Sequence, residues 1–248
     1  MTNDTPLRTS SPVDEEHIQP IPARRSTDAD PGQTPSVLRR LYLWLEFALL
    51  FLGLPVLLYT QRHALEEWLM PIMLGLAAGC TIWLLRDGSF KRRQLWSRDA
   101  FRHHLRRTLW WFVPGALVVG GGFALLRPDL LLTFPRFYPE VWLALLITYP
   151  LLSVYPQEII FRAFFFHRYH VLFPSRWGKV TASGLTFGFA HIIFANWVAP
   201  VMTAIMGVQF ALTYARTESV LQVTVEHVLW GVYAFTVGLG WFVYSGAI

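Results

Sequence analysis

Seven long apolar runs constrain the fold of this 248-residue chain more than any other feature. Several of them have about the 17–25 residues that a helix needs to cross the hydrocarbon core of a bilayer. Soluble helices show a polar side chain every three or four positions, and these runs do not. Only 15% of the residues are charged, against about a quarter in soluble domains. The runs are Leu41–Thr60, Trp68–Leu85, Thr108–Leu126, Val141–Tyr155, Val180–Phe194, Trp197–Tyr214 and Val228–Val243.

These runs predict an all-α polytopic membrane protein with about 7–8 transmembrane helices. Residues 1–36 differ from the rest, because they mix six prolines with Ser, Thr, Asp and Arg and contain no apolar core of a signal peptide. We therefore expect residues 1–36 to form a disordered cytoplasmic tail. Residues 37–248 would form the transmembrane domain, with the first span as an uncleaved anchor.

The basic residues predict the orientation, because cytoplasmic loops of membrane proteins carry an excess of Lys and Arg. If the tail is cytoplasmic and the chain crosses at each run, with Glu140–Phe173 as one broken crossing, 17 of the 21 Lys and Arg residues lie on the cytoplasmic side. Pro150 and Pro156 could divide that crossing into two helices. The basic segment Ser89–Arg107 could lie along the anionic membrane surface as an interfacial helix. Since orientation accounts for the positive charges, we expect the lipid bilayer as a partner and no nucleic acid.

Charged and imidazole side chains inside the apolar runs are candidates for function. An ionised group at the bilayer centre costs roughly 2.5–3.5 kcal/mol on insertion scales, so it needs a partner or a cavity. Glu158 and Arg162 are four residues apart and share one helix face, which by itself is equally compatible with a structural ion pair. His191 and His227 lie on two other predicted helices. One carboxylate and two imidazoles could activate a water for attack on a peptide carbonyl, or bind a divalent metal ion such as zinc.

Three motifs in these helices resemble the CPBP family, the CAAX-protease and bacteriocin-processing (Abi) membrane proteins. That family shows Glu-Glu-x-x-x-Arg, then Phe-x-x-x-His, then His-x-x-x-Asn, on successive helices. The distances from Glu158 to His191 and from His191 to His227 are 33 and 36 residues, as expected for adjacent helices. The resemblance covers residues 140–248, the motif-bearing core. The corresponding residues here are Gln157, Glu158 and Arg162, then Phe187 and His191, then His227 and Gly231.

The resemblance implies an intramembrane endopeptidase with a CAAX-protease-like helix bundle, acting on membrane-associated peptides or proteins. In the family, the first acid and the first His activate the water, the second His and the Asn stabilise the oxyanion, and the Arg holds the acidic motif. Both glutamate-type and metallo-type mechanisms are assigned to the family. We also expect an integral protein of the bacterial inner (plasma) membrane, and the distribution of basic residues predicts that its N-terminus is cytoplasmic.

Two positions depart from the family pattern: Gln157 replaces the first acid and Gly231 replaces the Asn. A glutamine can orient a water but cannot take its proton near pH 7. Three interpretations follow. Glu158 serves as the base with help from Gln157, which requires a helix break near Pro156; or Glu226 supplies the missing carboxylate beside His227; or the chain is an inactive relative that binds a membrane partner or confers immunity.

Two other protein classes fit parts of the sequence. Thr181-Ala182-Ser183-Gly184 is similar to the Gly-x-Ser-Gly of rhomboid serine proteases, although the first glycine is missing and Ser183 is expected near the cytoplasmic start of its helix. A small proton-coupled transporter would also use membrane carboxylates and histidines. Transporters, however, often show internal repeats, and this sequence shows none.

Overall fold

The computed structural model describes residues 36–243, and residues 98–103 only by their backbone. Residues 1–35 and 244–248 lie outside this part, and with them all of the predicted tail except Ser36. Seven long helices follow one another in the described chain, and short helical turns lie at Arg92–Gln94, Pro128–Leu130, Thr133–Phe137, His191–Phe194 and Leu239–Val243. The long helices are α1 (Val37–Thr60), α2 (Arg62–Arg86), α3 (Arg98–Leu126), α4 (Pro139–Arg168), α5 (Arg176–Ala190), α6 (Val198–Thr217) and α7 (Val220–Val237).

Six of these helices, all except α5, are long and apolar enough to cross a membrane. Their outward side chains are apolar too: on α3, for example, Trp110 and Val118 are 77% and 75% exposed. Such a surface is stable against lipid but not against water. The all-α polytopic membrane fold is therefore confirmed, and the number of spans is close to the predicted 7–8.

The helix α5 accounts for the difference between the six spans and the seven apolar runs. It has only 15 residues, and the chain continues through the turn His191–Phe194 before α6 begins. At about 1.5 Å per residue, 15 residues are shorter than a bilayer core. His191 therefore lies where α5 ends rather than in the middle of a long apolar helix.

Contacts between loops place the α2–α3, α4–α5 and α6–α7 connections at one end of the bundle. Nε2 of His167 lies 3.0 Å from Oδ2 of Asp87, and Nε2 of Gln94 donates to Oε2 of Glu218 over 2.9 Å. Hydrogen bonds from Ser89, together with His167, lower the pKa of Asp87 to about 2. The loops that carry most of the basic residues thus lie at the same end of the helix bundle. This agrees with the prediction that the chain crosses the membrane at each apolar run. Which side of the membrane this end faces stays a prediction.

The long helix α4 does not divide at Pro150 or Pro156. It runs through 30 residues and includes two wider π-helical segments, Tyr149–Val154 and Ile159–Phe164. A proline has no N–H to donate to the preceding turn, and π segments commonly interrupt the regular α-helical ladder at functional sites. The sequence predicted one broken crossing that the prolines could divide into two helices, whereas the structure has one continuous helix whose winding widens in two segments.

Helices α5 and α6 pack closely because glycines face the contact. A Cβ on Gly184 would lie 2.6 Å from the backbone N of Val208, and a Cβ on Gly188 would lie 2.7 Å from the carbonyl O of Pro200. Small residues allow this approach of two backbones within a membrane. The contact fixes the position of the end of α5, and so of His191.

We expect Gly184→Ala to lower the free energy of unfolding by about 1–3 kcal/mol, the usual cost of overpacking a core. Gly79→Ala on α2 is the matched control, because a Cβ there would meet no atom within 4 Å. The control should be neutral or slightly stabilising, since Ala favours a helix over Gly by up to about 1 kcal/mol. Thermal unfolding of both variants in one detergent, followed by circular dichroism, measures the difference. Equal melting temperatures would contradict the close packing.

Candidate functional site

Glu158 and Arg162 form an ion pair in the interior of the bundle. Nε of Arg162 lies 3.2 Å from Oε2 of Glu158, and both side chains are 0% exposed. The other carboxylate oxygen, Oε1, lies 2.7 Å from Nδ1 of His227. Because a carboxylate only accepts, Nδ1 of His227 carries the hydrogen. The pair thus connects α4 to α7 and fixes the tautomer and orientation of the His227 ring.

Arg162 also connects α4 to α5 and α6. It donates to the hydroxyl of Ser183 over 3.2 Å and to the carbonyl of Gly207 over 3.4 Å, and its guanidinium lies 4.9 Å from the centre of the Phe187 ring. A cation over an aromatic face in a desolvated interior is stabilised by the ring quadrupole. Arg162 therefore links α4, α5 and α6, while Glu158 links α4 to α7.

Ser183, the candidate nucleophile of the rhomboid interpretation, is fully buried in this packing. Its hydroxyl donates to the carbonyl of Phe161 over 2.7 Å and accepts from Arg162. It lines neither of the two cavities described below. Its contacts are those of a helix-packing residue.

His191 presents a free acceptor nitrogen. Its Nδ1 lies 2.7 Å from the carbonyl O of Phe187, one turn earlier in α5. A carbonyl only accepts, so Nδ1 carries the hydrogen and Nε2 of the neutral ring keeps its lone pair. The Phe187 ring, 4.7 Å away between centroids, packs against the imidazole. The end of α5 thus holds His191 in the form that can accept a proton.

Two cavities meet at the site. The larger, about 440 Å³, lies among α1, α2, α4 and the end of α5, and its walls are mostly apolar. The smaller, about 170 Å³, lies among α3, α4, α6, α7 and the end of α5. Gln157 and His191 line both cavities, whereas His227 lines the smaller one. The predicted site residues that reach open space are therefore Gln157, His191 and His227.

Gln157 has hydrogen-bonding capacity left for a ligand. Its Nε2 donates to the hydroxyl of Ser153 over 2.8 Å, one turn earlier in α4. Its Oε1 is buried and has no hydrogen-bond partner among residues 36–243. An unpaired buried amide oxygen is costly, and a water in the cavity would satisfy it.

Glu158 and Glu226, the two carboxylates predicted as possible bases, lie elsewhere. Neither lines a cavity. Glu158 faces Arg162 and His227, as described above. Glu226 is 3% exposed and accepts a 3.0 Å hydrogen bond from Nε2 of Gln209 in the packing of α6 against α7. The structure thus places Glu158 and Arg162 behind His227, and Glu226 between α6 and α7.

A metal ion requires several ligands converging on one point. Among the described residues, no group of three or more His, Cys, Asp and Glu side chains is placed to hold one. The oxygens of Glu158 face Arg162 and the Nδ1–H of His227, so neither is directed to a metal ligand position. The residues present therefore do not fit a three-ligand site, and bound zinc stays a prediction.

Tyr149 is a site residue that the sequence reasoning missed. It begins the first π segment of α4, lines both cavities, and packs edge-on against the His227 ring at 6.1 Å between centroids. The sequence did contain a signal, because Gly231 leaves a space where the family motif has a side chain. Only the folded chain shows that Tyr149 lies beside that space.

Other polar residues of the apolar runs have structural partners. Glu46 accepts two hydrogen bonds from Arg168, of 2.8 and 2.6 Å, and one from the hydroxyl of Tyr169. Asn196 accepts from the backbone N of Ala199 and donates to the carbonyl of Phe242. These contacts join neighbouring segments and lie outside the cavities.

We expect Glu158→Ala to destabilise the protein by about 3–5 kcal/mol, because it leaves the Arg162 charge buried without its partner. Asp129→Ala is the control: Asp129 pairs with Arg127 over 2.7 Å, but both side chains are about half exposed. This control should leave the melting temperature nearly unchanged. Thermal unfolding in detergent compares the two, and an equally small effect of both would contradict the buried pair.

Comparison with known proteins identifies the family of this region. A family model described as type II CAAX prenyl endopeptidase Rce1-like matches residues 139–233, from the start of α4 to near the end of α7. The match covers 95 of the 248 residues and includes all three motifs. Comparison with curated proteins and with solved structures gives no match. The resemblance predicted from the motifs is confirmed for residues 139–233, because the family model that matches them belongs to the CPBP family of CAAX-type proteases.

Proposed function

We propose that the protein is an intramembrane endopeptidase that hydrolyses membrane-associated peptide or protein substrates. The observation that carries the proposal is the free Nε2 of His191, on a cavity that Gln157 and His227 also line. A base, a water-orienting amide and a second imidazole in a low-dielectric space are the groups that peptide hydrolysis needs. The match to a proteolytic family supports the same reaction.

In the proposed reaction, a water molecule held by the Gln157 amide attacks the carbonyl carbon of the substrate. The water transfers a proton to Nε2 of His191 as the new C–O bond forms, and the carbonyl electron pair moves to oxygen. His191 then donates this proton to the amide nitrogen as the C–N bond breaks. One water is consumed, and a carboxyl and an amine are released.

The Glu158–Arg162 pair has a positioning role in this proposal. Glu158 binds Nδ1–H of His227, so Nε2 of that ring is the atom available to the smaller cavity. The carboxylate also holds the imidazole in one orientation, as the buried acid of a catalytic triad does. A protonated His227 can donate from Nε2 to the charge that develops on the carbonyl oxygen. In this proposal His191 is the base instead of Glu158, and Glu226 has no role in the reaction.

The setting of the site supports a substrate that enters from the membrane. The larger cavity is lined by apolar side chains of α1 and α2, such as Leu54 and Met73, and also by His191. A mostly apolar pocket with a few convergent polar groups is typical of ligand sites. We further propose the bacterial inner membrane as the location, with the basic end of the bundle and the N-terminus in the cytoplasm, as the positive-inside rule predicts.

One observation favours the alternative of a non-catalytic relative that binds a membrane partner. The cavity-facing position of the acidic motif is Gln157, and the remaining acid, Glu158, faces away from the cavity. The smaller cavity then has no carboxylate among its lining residues to assist His191. Such a protein would bind a peptide between the two cavities without cleaving it, and the following experiment separates the two functions.

We expect His191→Ala to reduce peptide cleavage by about 10²–10⁴-fold, the usual contribution of a general base. The matched control is His170→Ala, because His170 lies in the exposed α4–α5 connection and contacts the carbonyl of His167. Wild type and variants in proteoliposomes receive a membrane-anchored peptide substrate, and mass spectrometry quantifies the products. The control should cleave at the wild-type rate.

Two results would contradict the proposal in different ways. Cleavage that is unchanged in His191→Ala would place the active site elsewhere in the chain. Binding of the substrate by the wild type, with products no more abundant than in empty liposomes, would instead support the non-catalytic alternative.

A further inference from the structure

The hydroxyl of Tyr149 differs from those of four other buried or half-buried tyrosines in the described chain. The hydroxyls of Tyr155, Tyr169, Tyr214 and Tyr233 each donate to a protein acceptor: the Leu95 carbonyl, Glu46, Gln94 and the Ala116 carbonyl. The Tyr149 hydroxyl makes no hydrogen bond with any group that the structure describes. Tyrosine hydroxyls in protein interiors usually find a partner. An unpaired donor beside a cavity is therefore available to a ligand.

Gly231 explains how the Tyr149 hydroxyl fits beside α7. A Cβ built on Gly231 would collide with that hydroxyl, and it would lie only 2.5 Å from Cε1 and 2.6 Å from Cζ of the same ring. The phenol thus fills the space in which a side chain at position 231 would begin. Gly231 follows His227 by four residues, so both lie on one face of α7, and both line the smaller cavity.

The ring of Tyr149 is held firmly in this position. It packs edge-on against Phe235 at 5.4 Å between centroids, as it does against His227. Tyr149 begins the π segment, and its ring contacts α7 from the helix that also carries Gln157. A donor fixed by packing needs little reorganisation when charge develops near it, which is what makes such donors effective in catalysis.

We infer that the Tyr149 hydroxyl donates a hydrogen bond to the substrate carbonyl oxygen as it becomes an oxyanion. The inference rests on the proposed peptidase function and adds a catalytic residue to it. When water attacks, the carbonyl electron pair moves to oxygen, and Tyr149 stabilises this charge without losing its proton. Tyr149 thereby takes the place that the family motif gives to the side chain replaced by Gly231.

The first test removes only the oxygen. Tyr149→Phe keeps the ring and its packing, and we expect kcat to fall about 10²–10³-fold, as for the loss of one oxyanion donor. The KM should stay within about twofold, because the bond forms fully only in the transition state. Tyr155→Phe is the control on the same helix: its hydroxyl donates to the Leu95 carbonyl, and its ring lines neither cavity. Unchanged kcat in Tyr149→Phe would overturn the inference.

The second test exchanges the donors. Gly231→Asn alone should lose activity, because the new side chain collides with the Tyr149 ring. Tyr149→Leu alone should lose activity because the donor is absent. In the double variant, the leucine side chain is smaller than tyrosine and leaves room for the amide that Gly231→Asn introduces as the new donor. We therefore expect the activity of the double variant to be at least about tenfold above that of Tyr149→Leu. If the activity loss of the double variant equals the sum of the two single losses, as free energies, the Tyr149 hydroxyl and a side chain at position 231 do not occupy the same place, and the inference is contradicted.

A binding assay separates failure of this inference from failure of the proposed function. A phosphinate peptide carries a tetrahedral P–O group that mimics the attacked carbonyl, and its affinity is measured by titration in detergent. If the wild type cleaves no substrate, the peptidase proposal fails while this titration still decides the role of Tyr149. We expect Tyr149→Phe to bind the phosphinate about 10²-fold more weakly than the wild type, because the variant lacks one hydrogen-bond donor to the P–O group. Equal affinities, or no binding by the wild type, would overturn the inference.

Discussion

The buried contact of Glu158 with Arg162 and His227 is the interaction on which the site depends. A single charge inside a membrane bundle would be costly, and the two opposite charges on α4 remove most of that cost by pairing. The spare acceptor oxygen of Glu158 binds His227 on α7, while Arg162 binds Ser183 on α5 and the Gly207 carbonyl on α6. One ion pair therefore sets the mutual positions of four helices.

This arrangement keeps the ionised pair out of the reacting space. Among the site residues, the Gln157 amide, the two imidazoles and the Tyr149 phenol line the cavities, whereas Glu158 and Arg162 lie behind them. Neighbouring residues on a helix point about 100° apart, so Gln157 and Glu158 cannot both face one cavity on α4. The residue that differs from the family acid is therefore the one in contact with open space, and the retained acid orients His227 instead.

The motifs predicted which helices meet, but not which atoms meet. Their spacing placed Glu158, His191 and His227 on three separate helices, and these helices do surround the site. The role of Glu226 could not be inferred from its position next to His227, because adjacent residues face different neighbours and Glu226 meets Gln209 on α6. Tyr149 was missed because it precedes Gln157 by eight residues, with a π segment between them. Such a segment changes the facing of every residue before it.

The sequence by itself determined the membrane environment, the all-helical class and the family of residues 139–233. These follow from apolar run length and from motif order, which are local properties of the chain. Only the tertiary structure decided that Gln157 rather than Glu158 faces the cavities, that α4 is continuous, and that the Tyr149 hydroxyl lies in the space beside Gly231. Those features depend on how helices are rotated about their axes and packed against one another. The rotation of each helix is set by contacts between distant segments, such as the glycine contact of α5 with α6 and the contacts of the α4 ion pair with other helices. Local sequence patterns do not predict these contacts.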